Sequence, residues 1–202
     1  MSGIDLFISK SLAKIIKENL DSDIEKRIML KLFNKHGLSI KQSIEDFPKL
    51  HQVLEEFLGT KTLQFEKKCI SKIIEFTKQK NGSVILTIKD LELEELILKI
   101  LGDIESRIII EKTLKKPLMI SEIISDGKLS KTSSYRKINS LIQEGIIIKS
   151  GYKMTEKKRA IDKLGTLCDS FEIRVDKDKY TVKLHVSQKI FESSTTIKTI
   201  MN

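Results

Sequence analysis

The chain has 202 residues, 40% of them hydrophobic and 32% charged, with nine glycines and two prolines; this composition excludes disordered and collagen-like classes and suits one large or two small domains. Its 37 basic residues outnumber its 28 acidic ones, for a net charge of +9, a surplus that fits a polyanionic partner without naming one. Apolar runs such as Ile108–Ile110 and Ile146–Ile148 fall far short of the roughly 18 residues of a membrane span. Met1–Lys10 lacks the basic-then-apolar order of a signal peptide. Cys69 and Cys168 stand too far apart to read as a disulfide framework and read as buried thiols. The expectation is a cytoplasmic protein with no membrane segment.

The first eighty residues read as helical. Leu6, Ile8, Leu12, Ile15, Ile16 and Leu20 recur at three- and four-residue steps. Asp21-Ser22-Asp23 supplies a helix start, Ile24, Ile28, Leu32 and Phe33 form the next stripe, and His36-Gly37 ends it. Phe47-Pro48 starts a third helix that runs to Gly59. Thr62 caps a fourth, carrying Phe65, Cys69, Ile73 and Phe76 and broken at Asn81-Gly82. Ser83–Lys89 reads either as a short strand or as an extended linker, and Asp90–Leu101 as a linker helix or a dimer contact.

From Asp103 the order changes. Ile104, Ile108, Ile109 and Leu114 mark a helix ending before Pro117, and Leu118–Ile124 a short second one. Ser130 caps a third, with Tyr135, Ile138, Leu141 and Ile142 along its inner face and Gly145 at its end. Ile146–Lys149 reads as a strand, with Ser150-Gly151 and Glu156–Arg159 as turn or wing. Phe171–Val175 and Tyr180–Val186 alternate around Asp176-Lys177-Asp178-Lys179, which signals a hairpin. The polar tail after Ser187 reads as frayed.

The charge is unevenly placed. Residues 128–163 hold ten basic and three acidic side chains, a local excess of +7. Helix, helix, helix, strand, basic turn, strand is the order of a winged helix, in which one helix meets base edges in the major groove and the turn holds phosphate. Lys131, Thr132 and Ser133 lie in the first turn of the third helix, and Arg136 and Lys137 at its middle. These five read as groove and backbone contacts, and Lys153, Lys157, Lys158 and Arg159 as the phosphate clamp. Ser130 reads as a cap and Asn139 and Ser140 as rim residues. Tyr135 fits either the inner seam or a phosphate contact.

Particular stretches resemble known families. Asp103–Ile110 (DIESRIII), Ile120–Ile123 and Ser130–Ile147 (SKTSSYRKINSLIQEGII) are similar to the winged helices of arsenical-resistance-type (ArsR-like) regulators of archaea and bacteria. The resemblance covers roughly residues 90–187 and implies a DNA-binding regulator, although Ser130–Glu144 lacks the cysteines of the family's metal sensors. Leu30–Gly37 (LKLFNKHG) and Phe47–Gly59 resemble the Nitrosopumilus output domain, type five, which implies a signalling context and no mechanism.

Enzymatic signals are absent. His36, His51 and His185 are isolated, and Asp176 and Asp178 read as turn chemistry. The sequence has no phosphate-cradling glycine loop, zinc spacing or nucleophile elbow. The expected fold is mainly α with a small β component: a helical bundle (residues 1–82) for sensing, output or interaction, a linker (83–102), a winged helix-turn-helix with a trailing hairpin (103–187), and a polar tail (188–202). The expected protein is not an enzyme and has no cofactor or metal. It is a transcriptional regulator that binds double-stranded DNA as a homodimer, with Asp90–Leu101 as the seam and a possible protein partner for the bundle. The competing reading is a protein-interaction adaptor, which has no need of the concentrated basic charge. RNA binding is a third, disfavoured by the shortage of aromatics.

Overall fold

The computed structural model describes residues 3–125, 131–154, 156, 159–177 and 180–201; of Lys131 it describes the backbone alone. The N-terminal half begins with five helices: α1 (Gly3–Glu18), α2 (Ser22–His36), α3 (Ile40–Ile44), α4 (Phe47–Leu58) and α5 (Thr62–Ser71). Local chemistry sets most of their ends. The Asp21 side chain accepts a hydrogen bond from the Asp23 N–H and starts α2, and Gly37 closes it. Ser39 and Gln42 form a reciprocal capping box on α3, a helix absent from the sequence reading. Pro48 sits in the first turn of α4. The Thr62 hydroxyl donates to the Gly59 carbonyl across a 3-10 turn, Gly59–Lys61, instead of capping α5.

The fourth expected helix ends early. After Ser71 the chain enters strand β1 (Ile74–Lys78), turns at Asn81-Gly82 and returns as β2 (Val84–Ile88). Ile73 and Phe76 suit a helix stripe, but Ile74 and Phe76 equally suit one face of a strand, and pairing with β2 decides between them. Of the two alternatives read for Ser83–Lys89, the strand forms. It is central in an antiparallel sheet of order β1-β2-β6-β5, with β5 (Ser170–Val175) and β6 (Tyr180–Val186). Val84, Leu86 and Ile88 share the buried face with Val182, Leu184 and Val186. The expected C-terminal hairpin forms, but it pairs with the N-terminal strands.

Helix α6 (Leu91–Gly102) lies against β2 and β6. The Asp90 carboxylate starts it, accepting from the Leu93 N–H at 3.0 Å and from the Ser11 hydroxyl of α1 at 2.7 Å. Then follow α7 (Ile104–Lys115), α8 (Ile120–Ile124) and α9 (Lys131–Gln143). The hairpin β3 (Ile147–Met154) and β4 (Ala160–Thr166) comes next. Ser150 and Gly151 form a bulge inside β3 and not the expected turn. Leu118 and Leu164 exchange both backbone hydrogen bonds, at 2.9 and 2.7 Å, so the segment before α8 adds one bridge to this hairpin.

The tail is helical as well. Helices α10 (Gln188–Ser193) and α11 (Thr195–Met201) bury Phe191, Ile197 and Ile200. Phe191 meets Phe76 edge-on, with centroids 5.1 Å apart. The fully buried Asp5 carboxylate of α1 accepts from the Ser194 hydroxyl (2.5 Å), the Thr195 N–H (2.8 Å) and hydroxyl (3.0 Å), and the Thr196 N–H (3.2 Å). It thus caps α11 from the other end of the chain. The expectation of a frayed tail fails because its polar residues are those that satisfy Asp5.

The whole is mainly α with a small β component, and its buried apolar residues form one cluster from Ile4 to Ile200. No helix among the described residues is long and apolar enough to cross a membrane. Replacing Asp5 by Ala leaves buried donors without an acceptor, each costing about 1–3 kcal/mol. The expected result is a loss of at least about 2 kcal/mol in urea denaturation, with trypsin cleavage at Lys189 or Lys198 appearing before global unfolding.

Candidate nucleic-acid interface

Helix α9 contains no carboxylate, and its two faces divide cleanly. Ser134, Ile138 and Leu141 are buried, and Ile142 is half-buried against them. Thr132, Tyr135, Arg136, Asn139, Ser140 and Gln143 are exposed. Steps of three and four residues put these six side chains on one outward face. Tyr135 is 50% exposed and belongs to that face, not to the inner seam. Asn139 and Gln143, whose amides can each donate and accept, lie in line with Thr132 and Arg136. Sequence reading assigned Asn139 to the rim and passed over Gln143. Their spacing of three and seven residues from Arg136 places them on its face.

Two of the expected groove contacts are engaged inside the protein. The Lys137 ammonium lies 2.8 Å from the Asp103 carboxylate, and the Ser133 hydroxyl donates to Glu105. Asp103 also caps α7, accepting from the Ser106 N–H at 2.9 Å. The hydrogen bond from Lys137, reinforced by that from Ser106, holds the Asp103 carboxyl down at about 2. Ser133 and Lys137 thus anchor α9 to the start of α7.

On the hairpin, Lys153 and Arg159 are exposed. Lys149 pairs with Asp162 across the strands at 2.6 Å. Tyr152, Met154 and Ile161 expose apolar surface on the same hairpin. Lys157 and Lys158 lie outside the described residues, as do Ser130 and the side chain of Lys131.

The N-terminal bundle touches this unit at bare backbone. Gly145, between α9 and β3, has φ of +72°, and a Cβ there would stand 2.6 Å from the Phe7 nitrogen of α1. A Cβ on Gly3 would stand 2.5 Å from Ile148 and 2.7 Å from Leu167. The first turn of α1 is therefore seated directly on the end of α9 and the base of the hairpin.

Other reactive groups offer little chemistry. Both cysteines are free and buried; burial pushes the Cys69 thiol up to about 11 and raises Cys168 further. The His51 ring lies 2.9 Å from the buried Glu66, whose carboxyl is raised by desolvation, and this contact ties α4 to α5. His185 and Lys183 flank Glu172 on the exposed sheet face. Asp176 pairs with Arg174 at 3.2 Å, and Asp178 lies outside the described residues. No group of three or more His, Cys, Asp or Glu able to hold a metal occurs among the described residues.

Two variants test this arrangement. Gly145→Ala meets both an unfavourable φ and the α1 backbone, so thermal denaturation is expected to show a loss exceeding the roughly 1 kcal/mol of left-handed strain alone. Asp103→Asn keeps a capping side chain and removes the ion pair. The folded-state Asp103 pKa is depressed, so its stabilising effect is complete above the unfolded value of about 4 and disappears as pH falls towards about 2. Melting curves of wild type and variant should therefore differ at pH 6 to 7, on the order of a degree or two for a partly exposed pair, and converge at the acid end.

No protein-family model matches the chain, and neither a curated protein nor a solved structure matches it.

Proposed function

We propose that the chain is a sequence-specific, double-stranded DNA-binding transcriptional regulator. In this reading residues 103–166 form a winged helix-turn-helix, with α7, α8 and α9 as its helices and β3–β4 as the wing. The observation that carries it is the outward face of α9: free of carboxylates, exposed, and lined by Thr132, Arg136, Asn139 and Gln143. These are side chains suited to base edges, since a guanidinium can bind guanine and an amide can bind adenine in the major groove, each through two hydrogen bonds. Lys153 and Arg159 on the wing would hold phosphate, and the +7 excess over residues 128–163 supports a polyanion there. Lys157, Lys158 and Lys131 join the phosphate set on charge alone. The resemblance of roughly residues 90–187 to ArsR-like regulators favours the same reading.

Lys137 and Ser133 act in this reading as positioning residues that hold α9 through Asp103 and Glu105. The bundle would serve as the sensing or output part, joined to α9 through α1, and the protein would act as a homodimer on paired half-sites in the cytoplasm.

One observation favours the adaptor reading: the hairpin exposes Tyr152, Met154 and Ile161, apolar groups that would suit a protein partner. The two readings part in fluorescence anisotropy on a pool of genomic duplexes, run over a salt series. The expected result is selection of a duplex with a steep salt slope. Arg136→Ala with Asn139→Ala should weaken the selected duplex by about tenfold or more, at about 1–3 kcal/mol per base contact, with unchanged circular dichroism. Lys153→Ala with Arg159→Ala should weaken all duplexes alike and flatten the slope. Absence of duplex preference in the wild type overturns the regulator in favour of the adaptor.

A further inference from the structure

Strand β5 is an outer edge of the four-stranded sheet, with β6 on one side and no strand on the other. Its register sets Phe171 opposite Leu184 and Ile173 opposite Val182, so Phe171, Ile173 and Val175 share the apolar face of the sheet. On β6 that face is closed over, and Val182 and Leu184 have no exposure. On β5 it is open, with Ile173 38% and Val175 78% exposed. Glu172 and Arg174 stand on the opposite face, both exposed. Edge strands are commonly blunted by proline, lysine or a bulge, and Ser170–Val175 has none of these. The unpaired backbone N–H and C=O groups of such an edge are a template for a further strand.

The side chains select which strand. When β5 meets a second β5 antiparallel, a twofold axis lying between two residue positions sets one copy's apolar face beside the other's polar face; an axis at a residue keeps like faces together. Centred on Glu172, the pair opposes two glutamates. Centred on Arg174, it opposes two arginines and sets Glu172 against Asp176. Centred on Ile173, it sets Glu172 against Arg174 at both crossings, Phe171 against Val175, and Ile173 against itself. Continued past the strand ends, this register brings Lys177 towards Asp169, both exposed. Within the chain, Glu172 takes Lys183 at 3.2 Å and His185 at 3.3 Å, both on β6, and Arg174 takes Asp176 at 3.2 Å along its own strand. These partners leave the crossing side of both residues open, since no strand lies there. Strand β1, at the other edge, has no such register: centred on Phe76, it sets Glu75 against Thr77.

We propose that β5 pairs antiparallel with β5 of a second copy of this chain, about a twofold axis between the two Ile173 residues, so that the two sheets become one. This names the surface of the dimer that the regulator reading calls for, and to that extent rests on it. Glu172 of each copy then lies between Lys183 of its own β6 and Arg174 of the other copy, and opposite charges at cross-strand positions stabilise a sheet. Ile173 and Val175 gain apolar neighbours across the axis, and the edge backbone gains hydrogen-bond partners. The contact is isologous, as a twofold dimer requires. Helix α6, the seam expected from sequence, instead buries Leu93, Ile97 and Ile100 within its own chain. A single pair of edge strands lies at the small end of specific interfaces, so the expected dissociation constant is micromolar.

The test uses the full chain without DNA. Sedimentation equilibrium should show a concentration-dependent dimer. Glu172→Arg puts like charges at both crossings, and so does Arg174→Glu. Each variant alone should therefore bind itself about tenfold more weakly, with unchanged circular dichroism, since both side chains are exposed. Mixed in equal amounts, the two variants restore opposite charges at both crossings and should dimerise with each other, which a misfolded variant could not do. Both native thiols are buried, so an introduced cysteine is the reactive one. Ile173→Cys should cross-link to itself on oxidation. Val175→Cys should not, because four residues at about 3.4 Å each put its two copies roughly 14 Å apart. A wild type that stays monomeric at high micromolar concentration overturns the proposal. So does a dimer that neither charge reversal weakens, a mixture of the two variants that fails to pair, or a Val175→Cys that links as readily as Ile173→Cys. Loss of duplex selection in anisotropy with the dimer intact would fell the DNA reading alone.

Discussion

The structure turns on the closure of the chain upon its own beginning, and Asp5 is the residue that fastens it. A carboxylate with no solvent exposure is tolerated only where hydrogen bonds replace its water. Here the replacements come from Ser194, Thr195 and Thr196, about 190 positions away, at the start of α11. The same Thr195 hydroxyl accepts from the Phe47 N–H at the start of α4. One buried carboxyl group therefore ties the first, fourth and last helices together. The pairing of β2 with β6 makes the second closure, joining Val84 to Val186 in the middle of the sheet. Between these two closures residues 103–166 form an excursion that leaves the N-terminal unit and returns to it.

That arrangement explains how α9 is held. From one side the bare backbone at Gly145 rests on Phe7 of α1. From another, Asp103 and Glu105 at the start of α7 hold Lys137 and Ser133. The remaining side is solvent, and it is the side that carries Arg136 and Asn139. A helix fixed in this way presents a preset row of side chains, and any rearrangement of α1 bears directly on its end. The close packing of α1 against this end leaves little slack between the bundle and α9.

Much of this was legible locally. The capping of α2 by Asp21 and Gly37, the first-turn proline of α4, the start of α7 at Asp103 and the hairpin around residues 176–179 follow from chemistry within a few residues. The inner stripe of α9 through Ile138 and Leu141 followed from spacing, as did the exposure of Thr132 and Arg136. Lys137 and Ser133 read from the sequence as groove contacts; both are polar residues of α9, and only the arrival of α7 at their side gives them carboxylate partners. Phe33 reads as core by its composition, but it is exposed because the bundle reaches only the other face of α2.

The sequence alone therefore determined the ends of α2, the starts of α4 and α7, the two alternating hairpin strands near the C-terminus, the mainly helical class and the concentration of positive charge over residues 128–163. These depend on side-chain size, periodicity and capping within one or two turns. Tertiary structure decided what Ile73–Lys78 became, which strands shared a sheet, where the tail went and which polar residues of α9 stayed outward. Each of those depends on a partner far along the chain. An isolated segment with both a helical and a strand period has no local reason to choose, and a buried carboxylate takes its donors from whatever the fold brings to it.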